Sequence, residues 1–287
     1  MSTASDVRVA AAAGTESEQK SSLKELWDDS LVFARRNLEH IRQVPEKLIE
    51  VTVQPVMFVL LFAFVFGGAI AVGGQSGKYR EYLIGGILIQ SLAFGMTGPA
   101  ISMANDLKEG VIDRFRSLPT TKAAYLIGHF LAELVGLMVA IVVLLSSGFL
   151  VGWRARTDVL RIGGAVLLLL TFAAAMIWVG TWIGLLARSA DAVQGIVFTV
   201  VFPITFLSNA FVPIDSLPNV LQWVASINPI SVLVQAIRVL FGNPTAPIAK
   251  STWPMTHPVA ASWLYCIIIL VIAVPGALRR YQARTQD

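Results

Sequence analysis

Charge is scarce in this chain, so the places where it gathers carry the chemical information. Only 14% of the 287 residues are Asp, Glu, Lys or Arg. Six of them, Asp106, Lys108, Glu109, Asp113, Arg114 and Arg116, fall within eleven positions. A short run with both signs of charge suits docking of a partner, because electrostatic complementarity sets partner choice and register. Gly110 permits a sharp turn into that run.

Other chemistry is sparse. His40, His129 and His257 lie in different segments and make no metal-ligand spacing with the single cysteine, Cys266. No nucleophile–base pattern is visible. Gly73-Gly74-Gln75-Ser76-Gly77-Lys78 resembles a phosphate loop superficially. Val72 stands where its first glycine is required, and Tyr79 replaces the Ser or Thr that would hold Mg²⁺. The chain is expected not to be an enzyme and not to hydrolyse ATP itself. His129 and Glu133 are four apart and share a helix face, near enough to a span end to be read as local structural pairing. Gln90, Ser91, Thr97 and Ser102 interrupt one apolar segment; Thr199, Thr205, Ser208 and Asn209 interrupt another. Interhelical hydrogen bonding explains most such residues. The alternative is a greasy pathway with sparse polar groups.

The elements that position these residues are membrane helices. The chain is 55% hydrophobic, whereas soluble proteins average about 25% charged residues. A hydrocarbon core about 30 Å thick needs roughly 20 helical residues. Charge-poor intervals predict six spans, at about 50–73, 82–105, 122–151, 161–187, 191–213 and 258–279. The fold expected is thus an all-α membrane protein. Fifteen Lys and Arg fall on the side of the termini and seven on the other, which places both termini in the cytoplasm. The net charge of +4 is read as this topological bias rather than as affinity for nucleic acid. Three arginines at 153–161 run against the bias; anionic lipid headgroups or a polyanionic surface would accommodate them.

Around the spans, residues 1–20 read as a disordered cytoplasmic tail without a signal-peptide core. Leu23, Trp27, Leu31, Ala34, Leu38 and Ile41 form an apolar stripe, which predicts an interfacial amphipathic helix over 22–43 ended by Pro45. Ser216-Leu217-Pro218 and Asn228-Pro229 read as two helix starts, and Gly242-Asn243-Pro244 as a stop. Two short re-entrant helices on the outer side, within 216–242, fit these signals.

Asp113-Arg114-Phe115-Arg116-Ser117-Leu118-Pro119, preceded by Glu109-Gly110, resembles the signature of membrane subunits of type-2 ABC exporters, in particular the daunorubicin- and doxorubicin-resistance branch. Phe206-Leu207-Ser208-Asn209-Ala210-Phe211-Val212-Pro213 is similar to a second family stretch. The resemblance covers the chain from about residue 21 onward. His129 departs from it, since many relatives carry Lys or Arg there. The resemblance implies a coupling helix at 106–118, with Lys108, Glu109, Gly110, Asp113, Arg114, Phe115 and Arg116 facing a cytoplasmic ATPase. It implies two such ATPase subunits, which bind ATP and Mg²⁺, and a second permease copy or homologue within membrane lipid. It also implies a substrate path between protomers, along Gln90, Phe94, Thr97, Phe198, Phe202, Thr205, Phe206 and Asn209. The function expected is export of an amphiphilic drug or small molecule. Export of a lipid or glycolipid envelope component is the alternative, and a secondary transporter or membrane scaffold the remote one.

Overall fold

In a computed structural model of the protein, the residues described are 31, 45–65, 79–110, 122–245 and 250–284. The tail, the interfacial helix apart from Leu31, and Asp113, Arg114, Phe115 and Arg116 lie outside them. The described residues are helical, with no strand among them. In chain order the helices are α1 (Pro45–Val65), α2 (Tyr79–Phe94), α3 (Thr97–Lys108), α4 (Lys122–Leu150), α5 (Val159–Leu186), α6 (Ala190–Phe206), α7 (Asn219–Ile227), α8 (Pro229–Phe241), α9 (Trp253–Thr256) and α10 (Pro258–Arg284).

Among the described residues, four helical stretches are long and apolar enough to cross a membrane: Tyr79–Lys108, which is α2 and α3 together, Ala124–Leu150, Val159–Leu186 and Pro258–Ala283. A fifth is counted if α7 and α8, bent by 70° at Asn228, are taken as one broken span. The apolar part of α1, Val56–Val65, and the whole of α6 are shorter. At 1.5 Å per residue, the 17 residues of α6 reach only about 26 Å.

Several boundaries differ from the sequence expectation for physical reasons. Pro45 is the first residue of α1, ahead of the expected span start at about 50; proline suits a first helical position because its missing N–H is not needed there. The span expected at 82–105 is two helices, broken at Gly95 and Met96, where the Thr97 hydroxyl donates to the Phe94 carbonyl at 2.7 Å. The helix expected over 191–213 stops at Phe206. Pro203 lies inside its last turn, and the hydroxyls of Thr205 and Ser208 bond backbone carbonyls of that turn. Such local side-chain bonds compete with continued helix. Pro218, not Ser216, is the cap residue of α7; Ile214–Ser216 is a single 3₁₀ turn. Asn228 caps α8, accepting from the Ile230 N–H at 2.9 Å, and Gly242 ends it in the left-handed conformation at φ 67°.

Helix α2 is the axis of the packing, buried on all sides from Tyr82 to Gln90. Close approach depends on small residues, the usual solution between membrane helices. A Cβ on Gly180 would stand 2.2 Å from the Met96 carbonyl oxygen, and one on Gly184 2.4 Å from that of Ala100, so α5 lies directly against the backbone of α3. A Cβ on Gly86 would stand 2.0 Å from the Ala210 carbonyl oxygen. A second apolar cluster of Met103, Tyr125, Leu126, Leu185, Ala277 and Tyr281 joins α3, α4, α5 and α10 at one end of the molecule.

Candidate functional site

Phenylalanines four apart share one helix face. Phe198, Phe202 and Phe206 do so on α6, and that face is open: they are 61%, 43% and 47% exposed. Phe202 and Phe206 stack with centroids 4.2 Å apart, and Phe198 lies 6.4 Å from Phe202. Phe94, at the end of α2, meets Phe198 at 6.2 Å. The row continues through Phe211, 5.6 Å from Phe206, to Phe62 at 4.5 Å and Phe58 beyond it. Seven phenylalanines from α1, α2, α6 and the following turn therefore form one continuous wall. Of these, Phe58, Phe62 and Phe211 were missed by the sequence reading. A cavity of about 240 Å³ opens beside the wall, lined by Phe62, Tyr79, Phe206, Ser208, Phe211, Val212 and Leu217. Pro203, also exposed, has no N–H for the carbonyl of Thr199. The wall thus offers aromatic faces with a spare polar acceptor, a surface suited to an amphiphile.

The polar residues grouped with these phenylalanines sit behind the wall. Gln90, Thr205 and Asn209 are buried. The Thr205 hydroxyl donates to the carbonyls of Val201 and Phe202, within its own helix. The Asn209 N–H donates to the Ser231 hydroxyl at 3.2 Å, and its carbonyl accepts from the Tyr82 hydroxyl at 2.9 Å. Thr97 holds the α2–α3 break. Gln90, Thr205 and Asn209 thus lie in the interior rather than on the open face.

Arg238 organises the same region. It is fully buried, and it makes no ion pair with any described carboxylate. Its Nε donates to the Tyr82 carbonyl at 2.8 Å, and its Nη2 to the carbonyls of Asn209 and Ala210 at 3.0 and 3.1 Å. The guanidinium lies 3.3 Å from the centre of the Tyr82 ring. The Asn209 and Ala210 carbonyls lie in the turn after α6, outside any helical ladder, and the forked donor of Arg238 meets them. Irregular backbone at membrane depth is stable only where protein satisfies it. Arg238 supplies that for the turn after the short α6. The sequence reading counted this residue among the cations of the outer side, within the second re-entrant helix, and gave it no role; the signal available was a lone charge in an otherwise apolar 13-residue helix.

The charged run begins at the opposite end of the molecule from the α4–α5 link. Helix α3 ends at Lys108; Lys108 and Glu109 are exposed, and Gly110 turns the chain with φ 65°. The end of α3 is tied down from below. The Tyr125 hydroxyl donates to Oδ2 of Asp106. The Tyr125 ring stacks on Tyr281 at 6.1 Å and on His129 at 6.4 Å, with interplanar angles of 12° and 11°. His129 is therefore part of an aromatic stack that braces α3, α4 and α10. Glu133, one turn further along α4, points toward α3, with Oε2 3.5 Å from where a Gly98 Cβ would be. Among the described residues, no group of His, Cys, Asp and Glu is arranged to hold a metal ion.

Residues 30–241 match the family model described as ABC-2 type transporter. The chain is 30% identical over 218 residues to the daunorubicin resistance ABC transporter permease protein DrrB1 of Streptomyces coeruleorubidus, covering 76% of this chain and 74% of that one. It is 23% identical to the doxorubicin resistance ABC transporter permease protein DrrB of Mycobacterium tuberculosis, over 72% of this chain and 71% of the relative. It is 25% identical to the putative transport permease ycf38 of the alga Pyropia yezoensis, over 80% and 79%. Members of this family work with ABC ATPase partners in a transporter complex, and several long apolar helices fit a multi-pass membrane subunit of that kind. The chain belongs to the ABC-2 type transporter family and is an ABC transporter permease.

Proposed function

We propose that this permease exports an amphiphilic small molecule across the cytoplasmic membrane, driven by ATP hydrolysis on a separate subunit. The observation that carries the proposal is the open phenylalanine face of α6, made by Phe198, Phe202 and Phe206. A helix face this aromatic, left uncovered in the single chain, suits a passage formed with a second permease copy or homologue. The names of the relatives, daunorubicin and doxorubicin resistance, point to anthracyclines as the first substrates to try.

In this proposal the membrane is crossed six times and both termini are cytoplasmic. The α7–α8 hairpin closes the outer end beside the wall. The coupling segment runs through 106–118, its helix following the Gly110 turn; Lys108, Glu109, Asp113, Arg114 and Arg116 dock with an ATPase while Phe115 seats against it. Two ATPase subunits bind ATP and Mg²⁺. Gly110 and the Tyr125–Asp106 bond fix the angle at which that helix leaves α3. Transport along Phe94, Phe198, Phe202 and Phe206 then needs only sparse polar contacts, with Gln90, Thr97, Thr205 and Asn209 holding the wall in shape.

The test is efflux from cells expressing the chain with its ATPase, against a panel of anthracyclines and envelope lipids. Phe202→Ala and Phe206→Ala are expected to lower drug efflux by about threefold to tenfold, the factor that about 1 kcal/mol of aromatic contact represents. Equal efflux by the variants at equal membrane abundance would refute the role of the wall.

A further inference from the structure

The link between α4 and α5 holds a feature that the proposed transport path does not use. An open cleft of about 490 Å³ lies there between the two helices, walled by Leu145, Phe149, Leu150, Ile162 and Val166 and closed behind by Trp153. Its lining is almost wholly apolar, and Leu150 and Phe149 are exposed toward what would be lipid. Trp153 is fixed in place: its Nε1 donates to Oδ1 of Asn243 at 2.8 Å, and its ring meets Phe241 edge-on at 5.1 Å. The cleft is therefore built into the fold rather than left by a loose side chain.

A cation stands at its end. The guanidinium of Arg154 lies 3.7 Å from the centre of the Phe149 ring, which lines the cleft. Its Nη1 donates to the carbonyls of Phe149 and Trp153 at 2.7 and 2.8 Å. These bonds hold the side chain across the end of α4. The other cations of the link are neutralised: Arg156 pairs with Glu81 at 2.5 Å, and Arg161 with Asp158 at 3.4 Å. Arg154 pairs with no carboxylate among the described residues, and its Nε and Nη2 are not used in any hydrogen bond there.

We infer that the α4–α5 cleft binds an anionic phospholipid, with an acyl chain between Phe149 and Val166 and the phosphate on Arg154. Charge complementarity selects this occupant. A guanidinium with spare donors matches a phosphate's oxygens bidentately. The tryptophan and arginine stand together at a helix end, the level at which headgroups lie. The site accounts for an arginine that the positive-inside pattern leaves unexplained, and it holds in whichever leaflet that end lies.

The experiment uses the full chain purified in detergent and exposed to vesicles of equal phosphatidylglycerol and phosphatidylcholine, with retained lipid counted by native mass spectrometry. Phosphatidylglycerol is expected to be retained in excess. Arg154→Gln should reduce that excess about fivefold, the weight of one basic side chain beside an anionic headgroup. Arg161→Gln, whose residue is already paired, should leave it unchanged. Val166→Trp, which fills the cleft, should reduce retention while Arg154 is intact. Equal retention of the two lipids by the wild-type chain would overturn the inference. So would unchanged selectivity in Arg154→Gln, displacement of the lipid by inorganic phosphate alone, or cysteine crosslinks between copies through position 150, which would make the cleft a protein interface.

Discussion

Arg238 and the phenylalanine wall are the residues on which the packing of α2, α6 and α8 turns. Replacing Arg238 by Met preserves apolar bulk but strips a donor from the carbonyls of Tyr82, Asn209 and Ala210. The expected cost is about 1–3 kcal/mol, because the buried Ala210 carbonyl loses its partner while that of Asn209 keeps the Tyr82 hydroxyl. It should appear as a lower unfolding midpoint of the purified protein in detergent. Arg238→Lys should recover only part of it, since an ammonium cannot reproduce the fork that spans three carbonyls. An unchanged midpoint in Arg238→Met would mean that those carbonyls are satisfied another way. At this scale the sequence was legible for the phenylalanines of α6, whose spacing of four already sets them on one face. It was not legible for Arg238. Position in the chain puts that residue between two turn signals, and its burial arises only when α8 folds back onto α2 and the end of α6.

Among the elements, α5 lies directly against the backbone of α3, and that closeness is set by glycine. Gly180→Ala adds a methyl where 2.2 Å separates the ideal Cβ from a backbone oxygen. A backbone cannot swing aside as a side chain can, so the substitution should destabilise by at least about 1–3 kcal/mol, as overpacking does. Gly163→Ala, on the same helix but with nothing within 4 Å of its Cβ, should be neutral or stabilising by up to about 1 kcal/mol. The pair of melting curves separates close packing from helix propensity; a similar response in both would contradict the packing account. Hydropathy alone located the long helices α4, α5 and α10 to within a few residues, since each is a single charge-poor run. The break in the second apolar segment and the early stop of α6 were hidden from it. Both depend on hydroxyls bonding the backbone, at Thr97, Thr205 and Ser208, and hydropathy counts these residues only as mildly polar.

For the whole molecule, the question is how motion reaches the wall from outside. The Tyr125 hydroxyl bonded to Asp106, within a stack shared by His129 and Tyr281, makes the base of the proposed coupling helix one body with α4 and α10. Tyr125→Phe keeps the stack and loses the bond. In the assembled transporter it should leave ATPase binding intact and weaken the stimulation of ATP hydrolysis by substrate about fivefold, the factor of about 1 kcal/mol. Full stimulation in that variant would show that the bond transmits nothing. The most direct test of the central proposal is anthracycline movement in proteoliposomes containing this chain and its ATPase, with Arg114→Glu beside the wild type. The account predicts transport that requires both ATP and the ATPase, and that Arg114→Glu abolishes while the chain still inserts in the membrane. Transport that runs on an ion gradient without the ATPase, or that Arg114→Glu leaves untouched, would contradict it.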